Sequence, residues 1–332
     1  MSIDIIRDIW MEPGNSHKKG VVERKERSEL GRLPIGEKGI GRFGVHKLGK
    51  VIELVSKMEG RQEVALNIDW RIFENAEYLS DVNIDIQERE PDIFKDGKTG
   101  TYIRIRNLST NWTRGMLRNL HRSLTALNSP FDSNQSFKVV LKTDKLEWLE
   151  GLISFKDIKE YALFECDMKL EKNEITKFEY NFRPYDVMYG ISKRKVVFDK
   201  PVIMRKRVNK NGRNDFEDIN LSKYEIGNIR IKIYAFDRDS SILNNFIPDK
   251  AAFKNYLDEN GGISVFRDGM RILDYGEPDN DWLGLDLKRV NAPTKNLSNN
   301  IILGAVYLDR DNSGDLKEKA NREGFIEDEA YQ

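Results

Sequence analysis

The chain has 332 residues, and its 55 Lys and Arg residues balance its 55 Asp and Glu residues, so no whole-chain charge attracts nucleic acid or acidic membranes. The single cysteine, Cys166, excludes an internal disulfide and favours a reducing, cytoplasmic compartment. No apolar run approaches the ~20 residues that cross a bilayer, and Met1–Trp10 contains too many charges for a signal peptide. The length predicts two domains.

The first elements lie on either side of a polar segment. Apolar residues recur at helical spacing from Ile3 to Trp10, and Pro13-Gly14 ends that helix. Residues 15–38 are polar and mixed in charge, which is typical of a mobile lid and equally of an ordinary solvated loop. Residues 39–48 predict a helix whose inward side chains are Ile40, Phe43, Val45 and Leu48.

Strands rich in β-branched residues follow, at residues 51–55, 63–68, 100–106 and 137–141. Between the last two, a helix that Thr110 or Thr113 could cap carries an apolar stripe: Met116, Leu117, Leu120, Leu124 and Leu127. This mixture predicts an α/β (α+β) fold, a two-layer α/β sandwich with an open sheet, over residues 1–149.

A second α/β domain is predicted over residues 150–332. Its strands are expected at 161–170, 175–182, 229–236 and 300–308, and its helix at 250–257. Asp268-Gly269 between apolar runs predicts a hairpin. The polar interval 192–223 is expected to be a solvated loop, although its basic residues could also contact DNA phosphates: Arg205, Lys206, Arg207, Lys210 and Arg213.

The glycine-dense stretch Gly36–Gly44 is the main functional signal, because glycine lets backbone N–H groups approach a phosphate closely. A P-loop would need Lys and Ser/Thr after Gly41, and Arg42-Phe43 stand there instead. The dinucleotide pattern G-x-G-x-x-G matches Gly39–Gly44 but lacks a preceding strand pattern. A turn that binds no ligand is a further alternative.

Three elements together resemble the GHKL ATPases, which include DNA gyrase, the ninety-kilodalton heat-shock chaperone, histidine kinases and MutL. Gly36-x-x-Gly39-x-Gly41 resembles their second glycine motif, and Gly100-Thr101-x-Ile103 resembles the Gly-Thr strand beside their adenine pocket. Lys317–Gly324 resembles the transducer loop that sends a cation to the γ-phosphate. Similarity to bacterial MORC-like or chaperone-like ATPases extends over most of the chain, including Tyr275–Leu285.

The resemblance implies an ATP-binding domain at 1–149 and a transducer-like domain at 150–332, with ATP and Mg²⁺ as cofactors. Arg322, or Lys319 in its place, would supply the catalytic cation. The residues implied to contact ATP are Ser16, Lys18, Gly36, Lys38, Gly39, Ile40, Gly41, Arg42 and Thr101.

In the family, two elements come before the segment that Ser2–Trp10 resembles. The first is a helix with a general-base Glu and a magnesium-binding Asn, and the second is an Asp-x-Gly-x-Gly turn that ends in Met. Met1 stands at that Met, so the resemblance places these groups before residue 1, and the chain itself is expected to supply no metal ligand. Hydrolysis by these residues alone is therefore not expected.

The expected function is ATP binding with lid closure coupled to domain movement or to homodimerisation, and with hydrolysis in a complete protein. The alternative is a non-hydrolysing nucleotide-binding or regulatory module.

Overall fold

A computed structural model describes residues 1–12, 41–77, 82–132, 137–198, 200–210, 213–219, 223–293, 295–319 and 323–331. It has a mixed α/β fold, as the sequence predicts, and two compact units, Met1–Thr113 and Arg114–Gln332. The division between these units precedes the predicted boundary at 149/150, and Phe131, which lies before residue 149, packs against the core of the second unit.

The predicted N-terminal helix is present in a distorted form. Helix α1 (Ile3–Ile5) continues directly as a π-helical turn, Ile6–Trp10. The Ser2 side chain accepts a hydrogen bond from the Ile5 N–H at 3.4 Å, which satisfies one of the backbone donors exposed at the helix start. Ile6 is fully buried against the sheet of this unit.

That sheet is antiparallel, with strand order β3-β2-β1-β4. Helix α2 (Trp70–Asn75) follows β2, and the Asp69 side chain caps it. The core of this unit lies where α1 covers the face that carries Leu54, Val64, Leu66 and Ile68. The strands are β1 (Gly49–Lys57), β2 (Glu63–Asp69), β3 (Ile86–Arg89) and β4 (Gly100–Leu108).

The helix predicted at 39–48 is described only from Gly41, where it is a 3₁₀-helix, Gly41–Lys47. The prediction that Leu48 points inward is wrong, because its side chain is 51% exposed. The 3₁₀-helix ends at Lys47, so Leu48 lies in the turn that follows and not on a helix face.

The second unit begins with α3 (Arg114–Ala126), followed by a 3₁₀ turn (Leu146–Trp148), α4 (Phe155–Ile158) and a second 3₁₀ turn (Lys159–Tyr161). Met116 on α3 is exposed, so its place in the predicted apolar stripe is wrong, whereas Leu117 is buried. Later in the chain come α5 (Ser240–Phe246), α6 (Lys250–Asn260), α7 (Leu285–Asn291) and a 3₁₀ turn (Asn299–Ile301).

The main sheet of this unit has the order β13-β12-β14-β11-β5-β6-β7, with β8 also paired to β6. Only the β12–β14 pair among these described strands is parallel. The strands are β5 (Phe164–Glu171), β6 (Glu174–Phe182), β7 (Arg194–Val197), β8 (Val202–Ile203), β9 (Arg205–Lys210), β10 (Arg213–Asp218), β11 (Ile229–Ala235), β12 (Gly262–Arg267), β13 (Met270–Ile272) and β14 (Ile302–Leu308).

Asp268 and Gly269, with φ values of 52° and 80°, form the hairpin turn between β12 and β13 that the sequence predicts. The two faces of the sheet carry separate cores. Tyr234 and Leu303 pack with Phe253 and Leu257 of α6 on one face, and Val265 and Leu308 pack with Phe325 on the other.

Two sequence predictions for this unit are wrong. Residues 138–143 form no strand although they contain Val139, Val140 and Leu141, because β propensity forms a strand only beside a partner. The interval 192–223 contains the hairpin β9–β10 instead of only a solvated loop. Its strands pair opposite charges, with Arg205 opposite Asp218, and so lack the apolar alternation that marks a strand in sequence.

Candidate functional site

Most of the residues that the resemblance implicates lie outside the described residues: Ser16, Lys18, Gly36, Lys38, Gly39, Ile40 and Arg322. Gly41 and Arg42 are described in their backbone, as the first residues of the 3₁₀-helix that leads into β1. Thr101 and Lys319 have described side chains. Thr101 lies in the first unit and Lys319 in the second.

Thr101 belongs to a hydrogen-bonded cluster with Ser56, Gly100 and Met1. The Ser56 hydroxyl lies 3.2 Å from the Thr101 hydroxyl and donates to the Gly100 carbonyl at 3.2 Å. The Met1 amine donates to the Ser56 hydroxyl at 2.6 Å, and burial lowers the pKa of this amine below its ordinary value. The cluster joins residues from three separate parts of the chain.

The donors and acceptors of the cluster can be assigned from its chemistry. Ser56 has one hydroxyl proton, which the Gly100 carbonyl accepts, so the Thr101 hydroxyl must donate to Ser56. This leaves the lone pairs of the Thr101 oxygen as acceptors for another group. Thr101 as a residue is exposed, whereas its partner Ser56 is completely buried.

Ile103 lies beside Thr101 on the same face of β4, as the sequence predicts, and its side chain is 51% exposed. Across β1, Thr101 is opposite Ser56 and Ile103 is opposite Leu54. An exposed apolar side chain next to a hydroxyl acceptor suits a flat ring that carries an N–H donor.

Gly100 is required by the backbone and by its neighbour. Its φ is +152°, and a Cβ at this position would lie 2.9 Å from the Phe94 ring. Only glycine therefore allows Phe94 to pack against the start of β4. This packing supports the backbone position of Thr101, the next residue.

Glu63 holds the loop that carries Phe94. Its fully buried carboxylate accepts from the N–H groups of Asp92 at 3.2 Å, Ile93 at 2.9 Å and Phe94 at 3.0 Å, and from Arg89 Nε at 2.9 Å. Burial opposes ionisation, but these donors outweigh it, and the pKa of Glu63 lies below its ordinary value.

Sequence reasoning did not find Ser56 or Glu63. Ser56 follows a run of apolar residues in β1 and Glu63 begins β2, and both are completely buried. A polar residue inside a strand whose sequence pattern predicts burial is the signal that could have identified them.

The dinucleotide alternative does not fit the described geometry. β1 follows the glycine-rich helix and pairs antiparallel with both β2 and β4, whereas a βαβ unit needs parallel strands. The third glycine of that motif permits close packing of helix on strand, but a Cβ at Gly44 would meet no described atom within 4 Å.

Lys319 lies in a loop of the second unit whose two ends are joined. The Lys319 N–H donates to the Gly324 carbonyl at 2.9 Å, and Glu318 forms an antiparallel bridge with Phe325. The Lys319 ammonium pairs with Glu327 at 3.3 Å. Lys319 and Gly324 thus lie side by side, and the partly exposed Lys319 ammonium is paired with Glu327.

Buried groups anchor that loop. Glu318 Oε1 accepts from Arg267 and from Arg310, each at 3.3 Å, and the Phe325 N–H donates to the Tyr275 hydroxyl at 2.9 Å. Burial lowers the pKa of Arg267 below its ordinary value, although Glu318 acts in the opposite direction.

The acidic group around Pro278 forms a structured turn, as the sequence predicts. The Asp281 carboxylate accepts from the N–H groups of Leu285 and Asp286, both at 2.8 Å. Glu277 pairs with Arg122 at 3.0 Å and with Arg271 at 3.1 Å.

The basic residues at 205–213 lie on the β9–β10 hairpin. Arg205 pairs with Asp218 at 2.8 Å, and Lys206 lies 4.0 Å from Glu217. Carboxylates of the opposite strand thus partly neutralise this surface.

The described residues contain no group of three His, Cys, Asp or Glu side chains placed to hold a metal ion, so no Mg²⁺ site can be assigned among them. Within the same residues, no helix has the length and apolar character needed to cross a membrane. No protein-family model matches the chain, and a search of curated proteins finds no match.

Proposed function

We propose that Met1–Thr113 forms part of a GHKL-type nucleotide site that binds ATP, with the Gly36–Gly41 turn contacting the phosphates and Thr101 facing the adenine. The cluster of Met1, Ser56, Gly100 and Thr101 carries this proposal. The resemblance relates Met1 and Gly100-Thr101 to two elements beside the adenine pocket, and these positions meet through Ser56 although they are far apart in sequence.

The chemistry of the cluster suits adenine. The Thr101 oxygen can accept from the exocyclic amine, directly or through water, and the exposed Ile103 offers an apolar surface to the ring. A predominantly apolar site with a few polar groups is typical of pockets for such ligands.

The proposal constrains the direction of the 3₁₀-helix. Gly49 at the start of β1 and Ser56 near its end are about 23 Å apart, at about 3.3 Å per residue. The helix Gly41–Lys47 spans about 12–14 Å at about 2 Å per residue. It must therefore run back along β1 for the glycine turn and Thr101 to contact the same nucleotide.

The steps proposed beyond nucleotide binding rest on the resemblance to the GHKL ATPases alone. Arg322 or Lys319 would supply a cation to the γ-phosphate, residues 15–38 would close over the nucleotide, and closure would be coupled to domain movement or to dimerisation. Mg²⁺ would bridge phosphate oxygens when bound. The alternative remains a module that binds nucleotide without hydrolysing it.

Titration with a fluorescent N-methylanthraniloyl ATP tests binding. We expect saturable fluorescence that unlabelled ATP reverses. Gly41→Val should weaken binding at least tenfold, because the added side chain obstructs approach to the backbone N–H. Gly44→Ala is the control on the same helix, since its Cβ would meet none of the described atoms within 4 Å.

Thr101→Val tests the other end of the site. Loss of one hydroxyl acceptor should reduce affinity about threefold to tenfold, equivalent to about 1 kcal/mol. Thr176→Val in the second unit is the control, because the buried Thr176 hydroxyl has no hydrogen-bond partner among the described residues. Absence of saturable binding, or binding unaffected by both Gly41→Val and Thr101→Val, would contradict the proposal.

Release of inorganic phosphate separates the two functions. Binding accompanied by Mg²⁺-dependent release would support an ATPase, and binding without release would support the regulatory module.

A further inference from the structure

The second unit contains a cavity of about 660 Å³ on the face of the sheet that carries Ser264 and Phe266. The C-terminal half of α3, the end of α6 and residues 138–141 and 153–156 form its walls. Its volume lies in the range of sites for small organic molecules.

Much of the lining is apolar. Leu124 comes from α3, Ile153 and Phe155 from the segment before and within α4, and Phe266 and Leu303 from the sheet. These side chains offer an apolar body a surface away from water.

The charged side chains of the lining are mostly cationic. Arg122, Lys138, Lys156 and Arg271 line the cavity, against the single carboxylate of Glu259. Glu277 bridges the two arginines at 3.0 and 3.1 Å, so one carboxylate serves two guanidinium groups. The local charge therefore favours an anion.

Two buried polar atoms of the lining have no hydrogen-bond partner in the part of the chain that the structure describes: Asn128 Oδ1 and Arg271 Nε. The Arg271 side chain is only 6% exposed, and Asn128 is also buried. Buried polar atoms are almost always paired, so an acceptor and a donor unpaired together at one cavity call for a ligand or ordered water.

The two atoms belong to adjoining segments. The Arg271 N–H donates to the Leu127 carbonyl at 3.2 Å, which holds β13 against the residue before Asn128. Asn128 is fixed through its amide group, which donates to the Phe137 carbonyl at 3.1 Å. Both residues therefore line the cavity from adjoining segments.

We propose that this cavity binds a small organic anion that combines an aromatic or aliphatic body with a hydrogen-bond donor. The anionic group lies toward Arg271 and Arg122, the donor bonds to Asn128 Oδ1, and the body packs against Phe266 and Leu303. The site belongs to the second unit alone and does not depend on the nucleotide site of the first.

Two dyes that share a ring system test the charge requirement. Anilinonaphthalene sulfonate is an aromatic anion with an N–H donor, and N-phenylnaphthylamine has the same rings without the sulfonate. We expect saturable fluorescence with the sulfonate and at least tenfold weaker binding of the neutral dye. Equal affinities, or no saturable binding of the anion because the cavity holds only water, would overturn the proposal.

Variants locate the dye. Arg271→Met should weaken the anion at least tenfold and leave the neutral dye within about twofold, since the apolar stem stays and the guanidinium group is lost, together with its pair to Glu277 and its hydrogen bond to the Tyr275 carbonyl. Lys138→Glu, at an exposed position of the lining, should weaken the anion about twofold to fivefold without affecting the fold. Lys145→Glu, exposed and outside the cavity, is its control.

If Arg271→Met does not fold, as judged by circular dichroism and thermal melting, Lys138→Glu decides the result. Anion affinity that is the same in Lys138→Glu and Lys145→Glu would place the dye elsewhere and overturn the assignment.

ATP is itself an aromatic anion with N–H donors, so the two proposals need separate outcomes. Nucleotide binding that Gly41→Val weakens and Arg271→Met does not would support the first-unit site. The reverse pattern would move the nucleotide into this cavity and overturn the proposed function.

Discussion

The polar groups of the first unit and those of the second-unit cavity differ in how they are satisfied. Around Thr101, the hydroxyl of Ser56 and the amine of Met1 pair with one another, and the Glu63 carboxylate nearby has four donors. At the cavity, Asn128 Oδ1 and Arg271 Nε have no partner among the described residues. The first arrangement stabilises a backbone geometry, whereas the second leaves hydrogen-bonding capacity for a ligand.

The largest effect is expected at Glu63, where the first-unit network is most completely paired. Glu63→Ala leaves three backbone N–H groups and Arg89 without an acceptor, and we expect it to lower the free energy of unfolding by about 3–4 kcal/mol. Urea denaturation followed by tryptophan fluorescence measures the loss.

Glu53→Ala is the control for Glu63. Glu53 pairs on the same sheet with Arg106 at 2.8 Å, but Arg106 is half exposed, so we expect a change within about 1 kcal/mol. Equal losses for the two variants would show that Glu63 is no more important than a surface ion pair.

Gly100→Ala should lower stability by about 2–3 kcal/mol, because it combines a positive φ with the Phe94 contact. Gly60→Ala, at a φ of +67° with open space around its Cβ, separates the two causes and should cost about 1 kcal/mol. Thermal melts of both variants give the difference. If the losses are the same, Phe94 does not constrain Gly100.

Variants of Ser56 and Thr176 compare a hydroxyl that has hydrogen-bond partners with one that has none among the described residues. Ser56→Ala should destabilise by about 1–2 kcal/mol because it removes the partner of Thr101 and of the Met1 amine. Thr176→Val should be neutral or slightly stabilising, because it removes a buried hydroxyl that pairs with no residue in the described part of the chain. Urea denaturation measures both changes, and no loss of stability in Ser56→Ala together with a clear loss in Thr176→Val would contradict the assignment of the hydrogen bonds.

The stability of the first unit should also depend on pH through Glu63. Its pKa is lower in the folded protein, so its contribution is fully present above the unfolded pKa of about 4.3 and is lost as pH falls through the folded pKa. Glu63→Gln should reduce the loss of stability below that unfolded pKa. Unfolding curves of both proteins at a series of acidic pH values measure it, and parallel pH profiles would exclude this role.

The smallest effect on stability is expected at Lys319. Its exposed pair with Glu327 should contribute no more than about 0.5 kcal/mol, so Lys319→Ala should melt like the unmodified protein. A change in nucleotide affinity or phosphate release with unchanged melting would then indicate a direct role of the ammonium group. Unchanged nucleotide behaviour would leave Arg322 as the predicted cation.

The sequence predicted the elements whose pattern is local. Strands β1, β2, β4 and β11, the helix α6 and the Asp268-Gly269 hairpin are recognisable from alternation, β-branched residues or turn chemistry within a few positions. The hairpin β9–β10 was missed because its strands are held by charge pairs, and residues 138–141 were assigned wrongly because no strand lies beside them.

The sequence alone determined the α/β class and contained the glycine and Gly-Thr motifs from which the ATP hypothesis comes. Only the tertiary structure decided that Ser56 joins Met1 to Thr101, that Glu63 holds the loop against Gly100, and that Asn128 and Arg271 share one cavity. Hydrogen-bond satisfaction and burial depend on which distant segments meet, and no local pattern in the sequence encodes them.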